Sequence, residues 1–293
     1  MGATVRVVVV TYDSAEVLPT FLESLAGATT EPFDVVVVDN HLPSLLPEGA
    51  TDVTVLNTGA NLGYGRGANI GAEDFHGDWL VIANPDVVWD GGALDELLAA
   101  GERWPQAGCV GPAIRTVEGK LYPSARAFPS LGRGLGHALF GWFWPSNPWT
   151  RAYRAEGGRP EEGPTGWLSG SLMLVRREAW EQVGGFDARY FMYCEDMDLC
   201  RRLAESGWLN VYAPAAKITH VGGHSTQTVA RRMLREHHRA LYRYLSDHHQ
   251  GWRWAPLRWL LALGLTVRYL VAARLPAVAK GAAPTRSAEL LGH

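Results

Sequence analysis

The feature that most constrains the fold is an alternation of short apolar runs with amphipathic segments through the first hundred residues. Each run is rich in valine or isoleucine, as a strand buried on both faces requires. Between the runs, apolar residues recur at the spacing of one helical face. The elements predicted are strands and helices over Val5–Val10, Ser14–Leu25, Val35–Val38, Val53–Leu56, Gly65–Phe75, Trp79–Ala83 and Leu94–Ala100. This alternation predicts an α/β fold, a mostly parallel open sheet with helices on both faces.

The second half of the chain carries weaker signals. Arg115–Glu162 is rich in glycine, proline and aromatic residues and predicts little regular structure. Beyond it, the patterns predict strands and helices over Ser171–Val175, Glu195–Glu205, Leu209–Ala213, Thr228–Leu245 and Trp254–Ala273. The last of these segments is apolar and aromatic, with arginines spaced through it.

Composition excludes several classes of protein. With 293 residues, 47% hydrophobic and 19% charged, the chain can bury a sizeable core and is not globally disordered. A net charge of −3 argues against a general nucleic-acid binder. Three cysteines without a CxxC pair indicate a reducing compartment. We find no basic leader with a cleavage site and no uninterrupted apolar run that would span a bilayer, so we expect a cytoplasmic protein.

Polar side chains follow three of the predicted strands, at Thr11-Tyr12-Asp13, Asp39-Asn40 and Asn84-Pro85-Asp86. The carboxyl ends of parallel strands meet at one edge of a sheet, where ligands of such folds bind. Asp39 is suited to read the imide N–H of a pyrimidine base. Asp86, fixed by the preceding proline, is suited to hold Mg²⁺ or Mn²⁺ together with diphosphate oxygens. The alternative is that these aspartates only cap turns and helices.

A glycine-rich stretch occupies residues 61–71, between the third and fourth predicted strands. The spacing Gly-x-Gly-x-x-Ala from Gly63 to Ala68 formally fits a dinucleotide fingerprint. However, the glycines do not open directly off a strand, and the unit is the third in the sheet rather than the first. We therefore disfavour a dehydrogenase. Glycines beside Asn61 and Asn69 instead suit a backbone pressed against a nucleoside and its ribose.

Three carboxylates, Glu195, Asp196 and Asp198, begin a predicted helix after an apolar and aromatic approach. Apolar surroundings raise the pKa of a carboxylate and make it a better base, so Asp196 or Glu195 is a candidate to deprotonate an acceptor hydroxyl. The alternative is a capping cluster, because acidic residues favour helix N-termini. His220 follows another short strand and is a candidate metal ligand beside Asp86, although a lone histidine at a strand end is more often structural.

The motifs, in their order along the chain, resemble those of the inverting glycosyltransferases of family 2, above all the rhamnosyltransferase branch. They cover roughly residues 5–230. They are Val-Val-Val-Thr11-Tyr12, Val-Val-Asp39-Asn40, Asn61-Leu-Gly63-Tyr-Gly65-x-Gly67-x-Asn69-x-Gly71, Asn84-Pro85-Asp86, Gly170-Ser-Leu-Met-Leu-Val-Arg, Gly184-Gly-Phe-Asp187 and Glu195-Asp196-x-Asp198-Leu. Each motif is weak alone, and the ordered set is specific.

The resemblance implies a GT-A fold and roles for particular residues. The nucleotide-binding residues implied are Thr11, Tyr12, Asp13, Asp39, Asn61, Gly63, Asn69, Asn84 and Asp86. Asp86 and His220 would hold Mg²⁺ or Mn²⁺; Asn84 stands at the first position of the family's DxD motif, so one carboxylate is expected on the metal. Catalysis falls to Asp196, with Glu195 beside it. The acceptor-binding candidates are Trp167, Gly170 and Asp198.

The rhamnosyltransferase branch further implies a reaction and its partners. A single in-line displacement with inversion would move L-rhamnose from dTDP-L-rhamnose to a polyprenyl-diphosphate-linked N-acetylglucosamine, in the synthesis of a cell-wall linker. One alternative is a relative that uses UDP-galactofuranose or UDP-N-acetylglucosamine. Another, of a different class, is a catalytically silent module on the same fold that binds a sugar nucleotide or a membrane.

On this basis we predict a catalytic domain over 1–230, with a donor half over about 1–115 and an acceptor half over about 116–230. A basic, aromatic helical extension follows over 231–279, and a disordered tail over 280–293. The segment from Arg231 to Arg274 contains nine arginines and only two acidic residues. Tryptophans flank this extension and crowd a loop at 139–149. We expect the extension to contact a membrane surface peripherally, at the inner face of the cell membrane. A tryptophan-rich homodimer contact is the alternative.

Overall fold

The computed structural model describes residues 4–41, 53–128, 161–222 and 230–272. The helices are α1 Leu18–Ala26, α2 Tyr64–Gly71, α3 Ala93–Arg103, α4 Arg177–Val183, α5 Glu195–Glu205, α6 Ala230–Asp247 and α7 Ala255–Ala272. The strands are β1 Val5–Thr11, β2 Phe33–Asp39, β3 Thr54–Asn57, β4 Trp79–Ala83, β5 Val87–Trp89, β6 Ala107–Arg115, β7 Leu121–Tyr122, β8 Ala125–Arg126, β9 Gly163–Thr165, β10 Trp167–Leu168, β11 Leu172–Arg176 and β12 Leu209–His220. The predicted aromatic loop at 139–149 and the tail at 280–293 lie outside the described residues.

The main sheet follows the order β3-β2-β1-β4-β11-β6-β12-β5, with β7 added to β6 and β9 added to β12. Strands β1 to β4 pair in parallel, as the sequence predicts. The direction changes at β11, which is antiparallel to both β4 and β6. Its register pairs Leu172 with Ala83, so the residues that precede β11 lie beside those that follow β4. This junction between the two halves of the sheet positions much of the site.

Side chains of the central strands are buried on both faces of the sheet. Along β1, Val7 and Val9 join one core with residues of α1 and α3, whereas Val8 and Val10 join a second core with residues of α2, α4 and α5. Each such valine contributes roughly 1.5–3 kcal/mol when it leaves water. A continuous valine run is therefore favourable here, and the helices lie on both faces as predicted.

Several boundaries differ from the prediction. Helix α1 begins at Leu18 rather than Ser14, because a turn closed on the Ser14 carbonyl precedes it and Pro19 suits only the first turn of a helix. Strand β12 continues past Ala213 to His220, across an irregularity that contains Pro214. Strand β6 was not predicted, because its glycine and proline weaken the sequence signal.

The C-terminal helices α6 and α7 pack against each other. Helix α6 also buries Ala240 and Tyr244 in a third core, together with Tyr190 and Met197 of the catalytic domain. On α7 the large apolar side chains remain exposed, at Trp259, Leu260, Leu263, Val267 and Leu270. Within the described ranges, no helix is long and apolar enough to cross a membrane.

Candidate active site

The first two strand ends are tied together by their polar side chains. Thr11 and Asp39 are paired in the parallel register, and the Thr11 hydroxyl donates to Asp39 Oδ1 over 3.2 Å. The same oxygen accepts the backbone N–H of His41 over 3.0 Å. Tyr12 and Asp13 are exposed beyond this pair, and the Tyr12 ring lies 5.4 Å from that of His41. The strand ends thus present an open aromatic surface above a buried carboxylate.

The glycine-rich stretch is held against the segment that leads to the acidic cluster. Gly63 has a φ of 88°, and a Cβ there would stand 2.1 Å from the carbonyl oxygen of Phe191, so only glycine fits. Tyr64 then donates its backbone N–H to that carbonyl over 2.9 Å. Asn40 Nδ2 donates to the Gly63 carbonyl over 3.1 Å. The glycines therefore serve a close approach of two backbones.

The two asparagines of the glycine-rich stretch are engaged with backbone groups. Asn61 Oδ1 accepts the Gly63 N–H over 3.1 Å. The Asn69 side chain donates to the Phe186 carbonyl over 2.8 Å and accepts the Phe186 N–H over 2.9 Å. Their positions in this protein are thus explained by holding the loop and joining it to Phe186.

Asp86 and His220 meet through strand pairing, although 134 residues separate them. The antiparallel register of β12 and β5 pairs His220 with Val87, which places Asp86 alongside. His220 Nε2 lies 3.0 Å from Asp86 Oδ1 and 3.4 Å from Asn84 Nδ2. All three side chains keep some exposure. The predicted combination of Asn84, Asp86 and His220 is therefore brought together.

Gly170 lies between this group and the acidic cluster. Its neighbour Ser171 accepts the Asn84 backbone N–H over 2.9 Å, because β11 runs beside β4. Gly170 itself donates its N–H to Asp196 Oδ2 over 2.9 Å and accepts the Tyr64 hydroxyl over 2.6 Å. The backbone of Gly170 thus links the end of β4 to Asp196.

Glu195 and Asp196 differ in access. Glu195 is only 7% exposed, and its Oε2 atom is buried without a hydrogen-bond partner among the described residues. Asp196 is half-buried, so it keeps more exposure than Glu195. Asp198, one helical turn on, is buried and paired with Arg202 over 2.8 Å, so its carboxylate balances α5.

The pKa values of the two acidic groups shift in opposite directions. Burial alone would raise the pKa of Asp86, but the hydrogen bond and charge of His220 outweigh it and hold that pKa below its ordinary value. Burial raises the pKa of Asp196, and the N–H groups of Gly170 and Met197 oppose this only in part. Burial and the neighbouring Asp196 likewise raise the pKa of Glu195. Tyr64 lies near all three carboxylates: burial first, and then their charges, raise its pKa.

On the acceptor side, Trp167 is tied to the Ala127 carbonyl through its indole N–H, over 3.2 Å. The Arg126 guanidinium lies 5.4 Å from the Trp167 ring, and its charge acts on Asp196. Sequence reasoning missed Arg126, His41 and Tyr64. His41 directly follows a predicted strand end and Tyr64 lies inside the glycine motif, so position alone offered a signal for those two.

Within the described ranges, no three or more His, Cys, Asp or Glu side chains group together as a metal site. A metal at Asp86 and His220 would therefore need other ligands, and donor phosphate oxygens are the kind that Mg²⁺ and Mn²⁺ accept. The donor set of one carboxylate oxygen and one imidazole nitrogen fits such an ion, because the two atoms lie 3.0 Å apart and both side chains keep some exposure.

Sequence comparison shows the family to which the chain belongs. Residues 3–238 match the family described as glycosyltransferase like family 2. The chain belongs to glycosyltransferase-like family 2. This glycosyltransferase is 50% identical over 283 residues to the N-acetylglucosaminyl-diphospho-decaprenol L-rhamnosyltransferase of Mycobacterium tuberculosis, covering 92% of each chain. It is 28% identical to the rhamnosyltransferase WbbL of Escherichia coli, over 83% of this chain and 92% of that one.

Solved structures of glycosyltransferases share the fold. The glycosyltransferase superposes on GalNAc-T7, solved with UDP, GalNAc and Mn²⁺, with a TM-score of 0.56 and 14% identity, over 76% of this chain and 45% of the other. A mannosyltransferase from Pyrobaculum calidifontis, solved with GDP-Man and Mn²⁺, gives 0.55 and 18%, over 95% and 78%. These neighbours support the fold alone, and the predicted GT-A-like α/β architecture is confirmed.

Proposed function

We propose that this glycosyltransferase moves L-rhamnose from dTDP-L-rhamnose to an N-acetylglucosamine carried on a polyprenyl diphosphate, with inversion. The observation that carries the proposal is the arrangement of two carboxylate sites: Asp86 lies 3.0 Å from His220 and has a lowered pKa, and Asp196 is held by the Gly170 N–H and has a raised pKa. The sugar and acceptor are supported by the mycobacterial relative, whose name states them.

On the donor side, the thymine base would lie on the open surface of Tyr12 and His41, with Thr11 and Asp39 beneath it. The glycine-rich stretch would take the nucleoside, since its backbone is already held in place by Asn40 and Phe191. We also propose that Asp13, Asn61 and Asn69 contribute to nucleotide binding, as the family resemblance implies. Asn61 and Asn69 would do so by holding the glycine-rich loop in shape.

Asp86 and His220 would hold Mg²⁺ or Mn²⁺ at the donor diphosphate. When bound, such an ion neutralises charge on the leaving nucleotide diphosphate. Asn84 Nδ2 lies 3.4 Å from His220 Nε2, so its amide stands beside the proposed ligand pair.

Asp196 is the proposed general base. In the displacement, the acceptor hydroxyl oxygen bonds to the anomeric carbon, the bond to the diphosphate oxygen breaks, and Asp196 takes the hydroxyl proton. Attack opposite the leaving group inverts the anomeric configuration. Glu195 is too buried to meet the acceptor, and burial together with the charge of Asp196 raises its pKa to about 8, so Glu195 stands beside the proposed base largely protonated at neutral pH. Trp167 and Gly170 would line the acceptor side, whereas Asp198 supports α5 through Arg202.

The domain organisation follows this division. We propose a donor half over about 1–115, an acceptor half over about 116–230 and a membrane-facing extension over 231–279. The exposed apolar face of α7 includes Trp259 at 77% and Leu263 at 63% exposure, and α7 carries no acidic residue. Such a helix suits the interface of an anionic bilayer, where a polyprenyl-linked acceptor resides. We therefore propose peripheral attachment at the inner face of the cell membrane; a homodimer contact stays an alternative prediction.

The test is a transfer assay on a polyprenyl-diphosphate N-acetylglucosamine acceptor, with dTDP-L-rhamnose, UDP-galactofuranose and UDP-N-acetylglucosamine as competing donors, with and without Mn²⁺ or Mg²⁺. We expect transfer from dTDP-L-rhamnose alone, with the product's anomeric configuration inverted by NMR. Transfer from a UDP-sugar would be consistent with the proposed mechanism and would overturn the assignment of dTDP-L-rhamnose as the donor. If calorimetry shows nucleotide binding and no donor gives turnover, the alternative of a catalytically silent module would be favoured instead.

A further inference from the structure

The turn that leads to the acidic cluster, residues 190–194, has an unusual backbone. Tyr193 and Cys194 have φ angles of 71° and 61°, and Cys194 directly precedes Glu195. Two successive non-glycine residues in the left-handed region persist only where their surroundings fix them, because the Cβ atom disfavours this conformation. The 190–194 turn therefore needs outside contacts, and those contacts decide where Glu195 and Asp196 point.

One such contact comes from the donor half. The Phe191 carbonyl accepts the Tyr64 N–H, and Gly63 packs directly on the same carbonyl. This ties the middle of the 190–194 turn to the start of α2. This backbone contact does not hold the side chains of Tyr190 and Tyr193, towards the two ends of the turn, which need contacts from another element.

Helix α6 supplies those contacts along its length. Near its start, the Arg232 guanidinium lies 4.9 Å from the centre of the Phe191 ring. One turn further, the His237 ring meets Tyr193 edge to face at 5.2 Å and 82°. Near its end, Tyr244 belongs to the same buried cluster as Tyr190, the third core. Three positions of one helix thus hold three aromatic side chains of the same short turn.

His237 acts in this contact as an uncharged ring. It is 6% exposed and its Nδ1 atom has no hydrogen-bond partner among the described residues. Burial, with the nearby His238 and Arg268, lowers the pKa of His237 to about 4. A neutral ring in an edge-to-face contact contributes by its shape and quadrupole, which a phenyl ring shares.

We propose that α6 is a brace for the acidic cluster: Arg232 and His237 are positioning residues that act through Phe191 and Tyr193 to fix Asp196 for proton removal. This assignment rests on the proposed role of Asp196 as the base. It also gives the extension a second role, because the helix that braces the site is the one on which the exposed apolar α7 packs.

The experiment compares matched pairs of variants of the full chain. His237→Ala is set against His249→Ala, because the His249 ring meets Trp254 instead of the turn. Arg232→Ala is set against Arg239→Ala, an exposed arginine of α6 whose partner is Glu236. The rescue variants are His237→Phe and Arg232→Lys, which keep the ring and the cation. The readouts are kcat and donor KM, dTDP affinity by calorimetry, and amide hydrogen exchange of residues 190–198.

We expect His237→Ala and Arg232→Ala to lower kcat by roughly ten- to a hundredfold, because a misplaced base is costly, with donor KM and dTDP affinity little changed. Exchange at 190–198 should rise in both, and the rescue variants should restore kcat and protection. The control variants should leave that exchange as in the wild type. Arg232 is exposed, so its variants test the brace even if His237→Ala fails to fold.

Wild-type exchange at 190–198 in both alanine variants would overturn the brace. So would a rescue variant as slow as its alanine counterpart, because the ring or the cation would then not be what matters. Failure of the wild type to transfer rhamnose would instead overturn the proposed function, and hydrogen exchange, which needs no turnover, would still decide whether α6 holds the turn.

Discussion

Two carboxylate sites of this molecule are built from the same kind of residue and behave in opposite ways. Asp86 faces an imidazole, and its pKa lies below the ordinary value. Asp196 is partly withdrawn from water, and this raises its pKa above the ordinary value. Groups whose surroundings separate their pKa values divide the work of a reaction. Here the Asp86 site suits a carboxylate that stays ionised, and the Asp196 site suits a carboxylate that takes up a proton.

The two sites also differ in how the chain fixes them. Asp86 and His220 are set by the register of two sheet strands, where backbone hydrogen bonds resist displacement. Glu195 and Asp196 follow a turn in the left-handed region that depends on side-chain packing from α6. We therefore expect remote substitutions to disturb the base more readily than the donor site.

The largest expected effect is on the base itself. Asp196→Asn keeps the size of the side chain but cannot take a proton, so turnover should fall by about 10²–10⁴-fold while dTDP affinity persists. Steady-state kinetics and calorimetry measure the two quantities. Glu205→Gln removes a charge from the exposed end of the same helix and serves as the control. Near-normal turnover in Asp196→Asn would move the base elsewhere.

A substitution in the proposed donor site should instead change the binding of the nucleotide with metal. Asp86→Asn removes the ionised ligand, so the gain in dTDP affinity on adding Mn²⁺ should shrink by about 10–100-fold, the worth of a charge-assisted contact. Thermal shift with and without Mn²⁺ reports it. Asp74→Asn, at an exposed position, is the control for lost charge. An unchanged Mn²⁺ response would place the metal at other residues.

The pH dependence sharpens the contrast. Asp196 must be ionised to act as the base. Because its pKa is raised, kcat/KM should begin to fall, as the pH is lowered, at a higher pH than it would with an ordinary aspartate. The Arg126 charge lowers that pKa, so Arg126→Gln should move the acid limb to higher pH, by less than about one unit. Arg126→Lys should leave it near the wild-type position. A limb that moves to lower pH in Arg126→Gln would contradict this electrostatic account.

The smallest effect on catalysis should come from the outer face of α7. Replacing Trp259 and Leu263 by serine should weaken binding to vesicles of anionic lipid by about tenfold or more, because both side chains lose apolar contact with the interface. Turnover on a detergent-dispersed acceptor should stay near the wild type. Thr266→Ser, on the same helix, is the control. Unchanged sedimentation with vesicles would refute the membrane-facing extension.

Much of the fold was predictable because local patterns specify buried strands and amphipathic helices. Strand β4 and helix α5 have the predicted bounds, Trp79–Ala83 and Glu195–Glu205. The α/β class follows from the alternation of strand and helix patterns and the family from motifs in a fixed order, and both are confirmed. The roles of the site residues stay predictions, which the variants above test.

The sequence determined which polar groups end the strands, because that depends on neighbours along the chain. Only the tertiary structure decided which of them meet. Strand pairing joins Asp86 to His220, and the change of direction at β11 brings Gly170 to Asp196. The left-handed turn before Glu195 has no sequence signal, because Tyr193 and Cys194 avoid that conformation unless packing imposes it. Local preference thus selected the elements, and contacts between distant residues set the chemistry.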